Sequence, residues 1–286
     1  MQNNIDQELA AVQEHCLLML QEIDRVCRKN DIKYSLTGGS VIGYHLYGGF
    51  IPWDDDIDLM MTRDHYERFL EAWQREPEQK YAIHNFENKK NKHMMFSKIV
   101  DERTTVVENF EGYAETVGGV FVDITVFDKL PRDKKERKKF ECLSWFVQQA
   151  RERVIQWKVD SSIKSTLCRF AKNIVFCILR WFDEPIYKYV KNKFVNVDAE
   201  EYDLAELMAG IKIPYNTKLF DHYIDIEFGG GNCMIVRDYL DYLETRYGRR
   251  EFYKEKRSGD SPHHYLYVNL NLPFTQYLKQ TASKLP

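Results

Sequence analysis

Three features are scarce in this chain of 286 residues: paired cysteines, long apolar runs and an excess of charge of one sign. The six cysteines are scattered, and no two of them form a Cys-x-x-Cys pair. That spacing argues against a zinc or disulfide framework and is typical of reduced thiols in the cytosol. The first ten residues are polar and acidic, unlike a secretory signal peptide, and no apolar run reaches the ~18 residues of a membrane-spanning helix. We therefore expect a cytoplasmic protein.

The charge balance limits the partners. A formal net charge of -3 gives no general attraction to nucleic acid, so we expect no nucleic-acid partner. Any anionic ligand must be met by a local basic patch. Hydrophobic residues make up 44% of the chain, which is enough for a substantial core and unlike a disordered protein. The length allows one large domain or a domain with an insertion.

The first half of the chain alternates between helix and strand patterns. Residues 5–29 carry apolar side chains at three- and four-residue steps, which predicts a helix with one buried face. A short helix over 41–46 follows, and Asp64 with Glu67 resembles a capping box that begins another. The strand candidates, which are rich in β-branched and aromatic residues, are 81–86, 94–100, 104–108 and, most clearly, 119–127. This alternation predicts an α/β core.

Residues 140–200 lack strand signals and follow a basic run at 132–139, which predicts a basic helical segment. Within it, residues 167–182 project as an amphipathic helix with Arg169, Lys172 and Arg180 on the polar side. Such a helix can lie in a membrane interface, and it can equally pack on the rest of the protein. Both readings stay open at this point.

The most informative segment is Asp54-Asp55-Asp56-Ile57-Asp58. Adjacent carboxylates repel one another and resist burial, and a hard divalent cation removes that cost. In a strand, Asp54, Asp56 and Asp58 would share one face while Asp55 points away. Asp123, in the middle of the clearest strand candidate, is the natural further ligand. The alternative is a solvated acidic loop, but the flanking residues are too apolar for one: Phe50, Ile51, Trp53, Ile57 and Leu59.

Upstream, Gly38-Gly39-Ser40 lies between a short apolar stretch and the predicted short helix. Glycines there let the backbone approach a phosphate, and amides at a helix N-terminus stabilise its charge. A glycine turn, an Asp-x-Asp strand and a distant strand carboxylate follow one another in the order found in nucleotidyltransferase-type sites.

Two blocks of the sequence resemble the signature of the LicD family. They are Gly38-Gly39-Ser40-Val41-Ile42-Gly43 and the longer, more specific run from Gly49 to Leu59, which reads GFIPWDDDIDL. That family includes bacterial phosphocholine transferases and, more distantly, fukutin and fukutin-related protein. The resemblance implies a nucleotidyltransferase-like fold. It also implies transfer of phosphocholine, or a related alcohol phosphate, from a CDP-linked donor to a glycan hydroxyl, with release of CMP.

The resemblance also implies roles for individual residues. Asp56 and Asp58 would hold Mg²⁺ or Mn²⁺, Asp54 a second ion, and Asp123 would complete the metal site or accept the acceptor proton. The residues expected to contact the donor phosphates are Gly38, Gly39, Ser40, Lys98, Arg63 and Arg257. The family often has Asp-Ile-Phe-Pro-Leu-Asp where this chain has Asp123-Ile-Thr-Val-Phe-Asp128, so the last carboxylate is either Asp123 or Asp128.

We therefore expect an α/β, nucleotidyltransferase-like core, a mixed sheet flanked by helices, over residues 1–130. A basic helical insertion would follow over 131–200, and a mixed region over 201–286 would complete the catalytic domain. The expected partners are a CDP-choline-like donor and a glycan acceptor, which could be lipid-linked and reached by membrane contact through 167–182. Two alternatives remain: an enzyme that attaches the nucleotide itself to an acceptor, and a non-catalytic accessory protein of glycan modification. The accessory reading ranks last because Asp56, Asp58 and Asp123 are all present.

Overall fold

The computed structural model describes residues 2–76, 79–85, 87–88, 97–108, 116–152, 183–197, 201–207, 211–248 and 265–282. Arg257 and the amphipathic segment 167–182 lie outside these ranges, so their roles stay predictions. The helices are α1 Gln2–Lys29, α2 Gly38–Tyr47, α3 Arg63–Arg75, α4 Lys134–Glu152, α5 Asp183–Val195, α6 Tyr239–Tyr247 and α7 Phe274–Ala282. The strands are β1 Ser35–Leu36, β2 Asp58–Thr62, β3 Ala82–His84, β4 Ser97–Val100, β5 Thr105–Glu108, β6 Thr116–Gly118, β7 Phe121–Pro131, β8 Tyr202–Ala205, β9 Tyr223–Phe228, β10 Gly231–Val236 and β11 Tyr265–Asn269.

A six-stranded mixed sheet forms the centre of the molecule. Its order is β1-β2-β7-β4-β3, and β8 pairs with the later part of β7. The β2 and β7 strands run parallel, whereas the pairings of β7 with β4 and of β2 with β1 are antiparallel. This mixed sheet with flanking helices confirms the predicted α/β fold class.

The long first helix covers much of the core. From Leu9 onward its predicted apolar stripe is buried. Val12, Cys16 and Ile23 of this stripe pack with side chains of β2 and β7 in one hydrophobic cluster. The helix extends from Gln2 to Lys29, slightly beyond the predicted 5–29.

A second, smaller cluster lies where α4 and α5 pack against the end of β7. Its buried members are Leu130, Phe140, Val190, Phe194, Ala205 and Leu207. The described part of the predicted helical segment is therefore attached to the sheet through β7 and β8. The domain boundaries at 130 and 200 stay predictions.

The second half of residues 54–61 was expected to alternate like a strand, and β2 confirms this by beginning at Asp58. Two other local expectations were wrong. Strand alternation does not extend back to Asp54, because Asp54 N–H donates to Ile51 O at 2.9 Å and the preceding Pro52 and Trp53 form a turn. The capping box at Asp64 also does not form. The α3 helix begins at Arg63 after Thr62, which makes no side-chain cap, and Glu67 pairs instead with Arg63 at 3.2 Å.

Candidate active site

The glycines at the start of α2 lie against the acidic segment. Gly38 has φ +53°, a left-handed conformation that favours glycine. A Cβ on Gly38 would lie 2.7 Å from Oδ2 of Asp58, and one on Gly39 would lie 2.8 Å from Oδ2 of Asp54. Both glycines therefore let carboxylates approach the helix N-terminus more closely than any larger residue would allow.

The same helix fixes the backbone of Asp58. The Asp58 N–H donates to Oγ of Ser40 at 2.9 Å, and the Thr37 N–H donates to the Asp58 carbonyl at 2.9 Å. Ser40 is buried, so its visible role is to hold the first residue of β2. Its predicted contact with a donor phosphate stays a prediction.

The carboxylates meet where β2 and β7 begin. The parallel register pairs Asp58 with Asp123, and Asp123 N–H donates to Ile57 O at 2.9 Å. Carboxylate oxygens of Asp56, Asp58 and Asp123 all lie within 4.8 Å of one another, and so do those of Asp54, Asp55 and Asp56. Asp55 does not point away, as strict strand alternation predicted, because these residues precede the strand.

This donor set fits a divalent metal ion. Mg²⁺ takes oxygen ligands at ~2.0–2.1 Å in octahedral geometry, so ligands on opposite sides lie about 4.2 Å apart. Oxygens already within 4.8 Å need only small shifts to reach that arrangement. The metal role of Asp54, Asp56, Asp58 and Asp123 stays a prediction, and their placement agrees with it.

The cluster is electrostatically strained when no cation balances it. Burial, with the charge of Asp56, raises the pKa of Asp54 to about 7. Burial also raises the pKa of Asp58 well above its usual value, and the charges of Asp56 and Asp123 add to the effect. A bound cation would reverse both shifts, because it favours the ionised carboxylates.

Contacts from outside the motif hold the acidic segment in place. Gln13 Nε2 of α1 donates to the Asp54 carbonyl at 2.7 Å, and Tyr265 OH of β11 donates to the Asp55 carbonyl at 3.4 Å. Cys16 Sγ lies 3.8 Å from the same Asp55 carbonyl. Burial raises the pKa of the Cys16 thiol, which therefore stays neutral. The sequence predicted none of these supports.

Lys98 lies at the site, whereas Arg63 does not. Lys98 on β4 is the register partner of Asp123, and its Nζ lies 3.5 Å from Asp123 Oδ1 and 3.0 Å from the centre of the Phe121 ring.

The Arg63 guanidinium instead donates to both oxygens of the fully buried Asp128 at 2.8 and 3.0 Å. At ~3.3 Å per residue, Asp128 lies about 16 Å along β7 from Asp123. Of the two candidate acids, Asp123 is the one beside Asp58.

Two side chains near the site were missed by the sequence analysis. Tyr242 OH on α6 accepts a hydrogen bond from Gly38 N–H at 3.1 Å and lies 2.5 Å from Thr37 Oγ1. Arg246, one turn further along α6, carries a positive charge that acts on Asp58. The available signal was weak: a loose resemblance to the LicD family at Tyr242-Leu243 and Tyr247-Gly248, which does not include Arg246.

The fold and the site together define a class of protein. A mixed sheet with carboxylates at the start of two adjacent parallel strands, beside a glycine-led helix, is a nucleotidyltransferase-like core. Residues 31–155 match the family model described as the LicD/FKTN/FKRP nucleotidyltransferase domain. The chain is also 28% identical over 258 residues to the lipopolysaccharide cholinephosphotransferase LicD of Haemophilus influenzae. That alignment covers 87% of this chain and 93% of the relative. Residues 31–155 are therefore similar to the LicD family of phosphotransferases, and most of the chain is similar to the Haemophilus enzyme.

Proposed function

We propose that this enzyme transfers phosphocholine, or a related alcohol phosphate, from a CDP-linked donor to a hydroxyl of a cell-surface glycan, with release of CMP. The observation that carries the proposal is the meeting of Asp56, Asp58 and Asp123 beside the glycine-led start of α2. The Haemophilus relative is named for cholinephosphate transfer on lipopolysaccharide, which suggests the transferred group and the type of acceptor.

The chemistry needs charge neutralisation and alignment more than covalent participation of the protein. The acceptor oxygen would attack the phosphorus that bears choline, the bridging P–O bond to CMP would break, and the hydroxyl proton would pass to a base. Mg²⁺ or Mn²⁺ held by Asp54, Asp56, Asp58 and Asp123 would stabilise the charge that develops on the diphosphate oxygens.

The protein's own groups have distinct parts in this scheme. Lys98 would contact a phosphate oxygen from the β4 side, and the amides of Gly38 and Gly39 would approach the donor at the N-terminus of α2. Asp123 lies between Lys98 and Asp58 and would either complete the metal site or accept the acceptor proton.

The cellular setting belongs to the same proposal. Among the residues that the structure describes, no helix is long and apolar enough to cross a membrane. Within the described ranges, Cys16, Cys27, Cys142 and Cys233 are free thiols. The scattered cysteine spacing of the sequence favours the cytoplasm, and we propose that location. There the enzyme would reach a lipid-linked acceptor by membrane contact through segment 167–182.

The direct test is CMP release from a panel of CDP-alcohols. Purified protein with Mg²⁺ and a glycan acceptor should release CMP from at least one of CDP-choline, CDP-ethanolamine, CDP-glycerol and CDP-ribitol. The matched control is Asp225→Asn, which neutralises an exposed aspartate on β9 and should leave the rate unchanged. Release of choline phosphate instead of CMP would indicate transfer of the nucleotide itself. Absence of both products from every donor would favour the accessory-protein reading.

A further inference from the structure

Charged side chains form a row across the sheet, from β4 to α6. Lys98 on β4 pairs in register with Asp123 on β7, which pairs in register with Asp58 on β2. The next element is the start of α2, and Gly38 N–H there donates to Tyr242 OH on α6. Arg246 follows Tyr242 by one helical turn. The row therefore has a cation at each end and two carboxylates between them.

Arg246 is held rigidly at its end of the row. Its Nη1 forms an ion pair with the buried carboxylate of Glu206, and its Nε donates to Tyr247 OH at 3.3 Å. Tyr215 stacks on Tyr242 beside it, with ring centres 5.4 Å apart and an angle of 21°. The Arg246 side chain is 20% exposed, so it is fixed in place and still accessible to a ligand.

Pairing with Glu206 does not exhaust what Arg246 can bind. A guanidinium presents five N–H donors in one plane. The contacts to Glu206 and Tyr247 use Nη1 and Nε, and Tyr215 is a further hydrogen-bond neighbour.

Arg246 also lies near the acidic cluster. Tyr242, one helical turn before Arg246, accepts a hydrogen bond from Gly38 N–H at 3.1 Å, and a Cβ on Gly38 would lie 2.7 Å from Oδ2 of Asp58. This geometry brings the α6 helix that carries Arg246 against the carboxylates predicted to hold metal.

We infer that Arg246 is a second phosphate-binding cation of the active site, opposite Lys98, and that Glu206 is the positioning residue that orients it. The inference rests on the proposed function, because it assigns Arg246 to the diphosphate of the nucleotide donor. The β4, β7 and β2 strands together span about 10 Å. Arg246 lies beyond β2, so the long side chains of Lys98 and Arg246 would converge over the carboxylates, each to contact a different phosphoryl group of one donor.

The test compares the affinity for the nucleotide donor, which Arg246 should strengthen, with the affinity for metal alone, which Arg246 should leave unchanged or weaken. In full-length Arg246→Gln, the Kd for CDP-choline with Mg²⁺, measured by calorimetry, should rise at least tenfold, because a charge-assisted hydrogen bond to phosphate is lost. The Kd for Mn²⁺ without nucleotide, measured by electron paramagnetic resonance, should stay the same or fall, because a competing positive charge is removed. General damage to the site would instead weaken both.

Three further single variants and one double variant sharpen the comparison. Arg246→Lys keeps the charge but loses the planar fork, so it should weaken CDP-choline binding by a smaller factor and leave Mn²⁺ affinity unchanged. Arg237→Gln removes an exposed arginine, paired with Asp238, that precedes the same helix, and it should change neither affinity. Glu206→Gln should weaken donor binding. The double variant Glu206→Gln/Arg246→Gln should bind the donor little more weakly than Arg246→Gln alone, because Glu206 acts through Arg246.

The outcomes separate this inference from the proposed function. A wild-type protein that binds no CDP-alcohol and releases no CMP overturns both. A wild-type protein that binds CDP-choline, with Arg246→Gln within twofold of it, overturns the inference alone. Parallel weakening of Mn²⁺ and donor binding marks a structural role and also overturns the inference. If Arg246→Gln does not fold, Arg246→Lys is the deciding variant. The inference is overturned if Arg246→Lys binds CDP-choline as tightly as the wild-type protein does.

Discussion

Two ends of the same pair of parallel strands handle buried charge in opposite ways. Where β2 and β7 begin, Asp58 faces Asp123, and neighbouring acids add to the repulsion. Five residues further along β7, Asp128 is fully buried but bonded through both oxygens to Arg63. One end is balanced by a direct ion pair. At the other end, within the part of the chain that the structure describes, carboxylates outnumber the nearby cations. We infer that the Asp128–Arg63 pair at the balanced end stabilises the fold, and that the carboxylates at the unbalanced end bind a ligand.

The largest expected effect is on activity at the unbalanced end. Asp56→Asn and Asp58→Asn should each lower the rate of CMP release by at least a thousandfold, because metal ligands are lost. The fold should remain intact or become slightly more stable, because one repelling charge is removed. Initial rates in saturating Mg²⁺, with melting temperatures on the same samples, check both parts. Full activity in either variant would refute the metal assignment.

The balanced end should show the reverse pattern. Asp128→Asn leaves the buried Arg63 charge without its main partner, which costs about 3 kcal/mol of unfolding free energy. Chemical denaturation should show that loss, whereas the folded fraction should keep most of its CMP-release activity. Asp123→Asn should instead lose activity with little loss of stability. If Asp128→Asn is inactive while folded and Asp123→Asn is active, the assignment of the last carboxylate is reversed.

A smaller effect should appear in the pH dependence of metal-free protein. In the folded protein the pKa of Asp54 is raised to about 7, whereas in the unfolded chain it is ~3.9. The folded state therefore holds the Asp54 proton more tightly, and this contribution to the free energy of unfolding is fully present below pH ~3.9. That contribution is lost as pH rises through about 7. The melting temperature of metal-free wild-type protein should therefore fall by a few degrees between pH 5 and pH 8. Asp54→Asn should fall less over the same range, and a saturating divalent cation should raise the melting temperature most at pH 8. Identical pH profiles for Asp54→Asn and wild type would contradict the raised pKa.

The contrast between the two ends shows what local sequence could reveal. The acidic motif, the glycines at 38–39 and the strand around Asp123 are local patterns, and the structure brings all three together at the site. Their metal-binding and phosphate-binding roles stay predictions. The choice between Asp123 and Asp128 was open, because only strand register shows which acid faces Asp58. Arg63 was expected to contact phosphate because its true partner, Asp128, lies on another strand, and the local sequence does not show that pairing.

Other parts of the site depend on distant segments. Arg246 and Tyr242 reach the start of α2 only because α6 packs there, and no periodicity near Asp58 indicates that contact. The turn before Asp58 was missed because five consecutive residues of the motif could also be read as strand. Backbone contacts to Gln13 and Tyr265 then fix Asp54 and Asp55 outside the sheet.

Mn²⁺ binding tests the central claim most directly, because it requires neither the correct donor nor the correct acceptor. Titration followed by electron paramagnetic resonance should show saturable binding to the wild-type protein at pH 8. The Kd should rise at least tenfold in Asp58→Asn and stay unchanged in Asp225→Asn, whose aspartate is exposed on β9. Wild-type protein that binds no Mn²⁺ at millimolar concentration, or Asp58→Asn with wild-type affinity, would contradict the account.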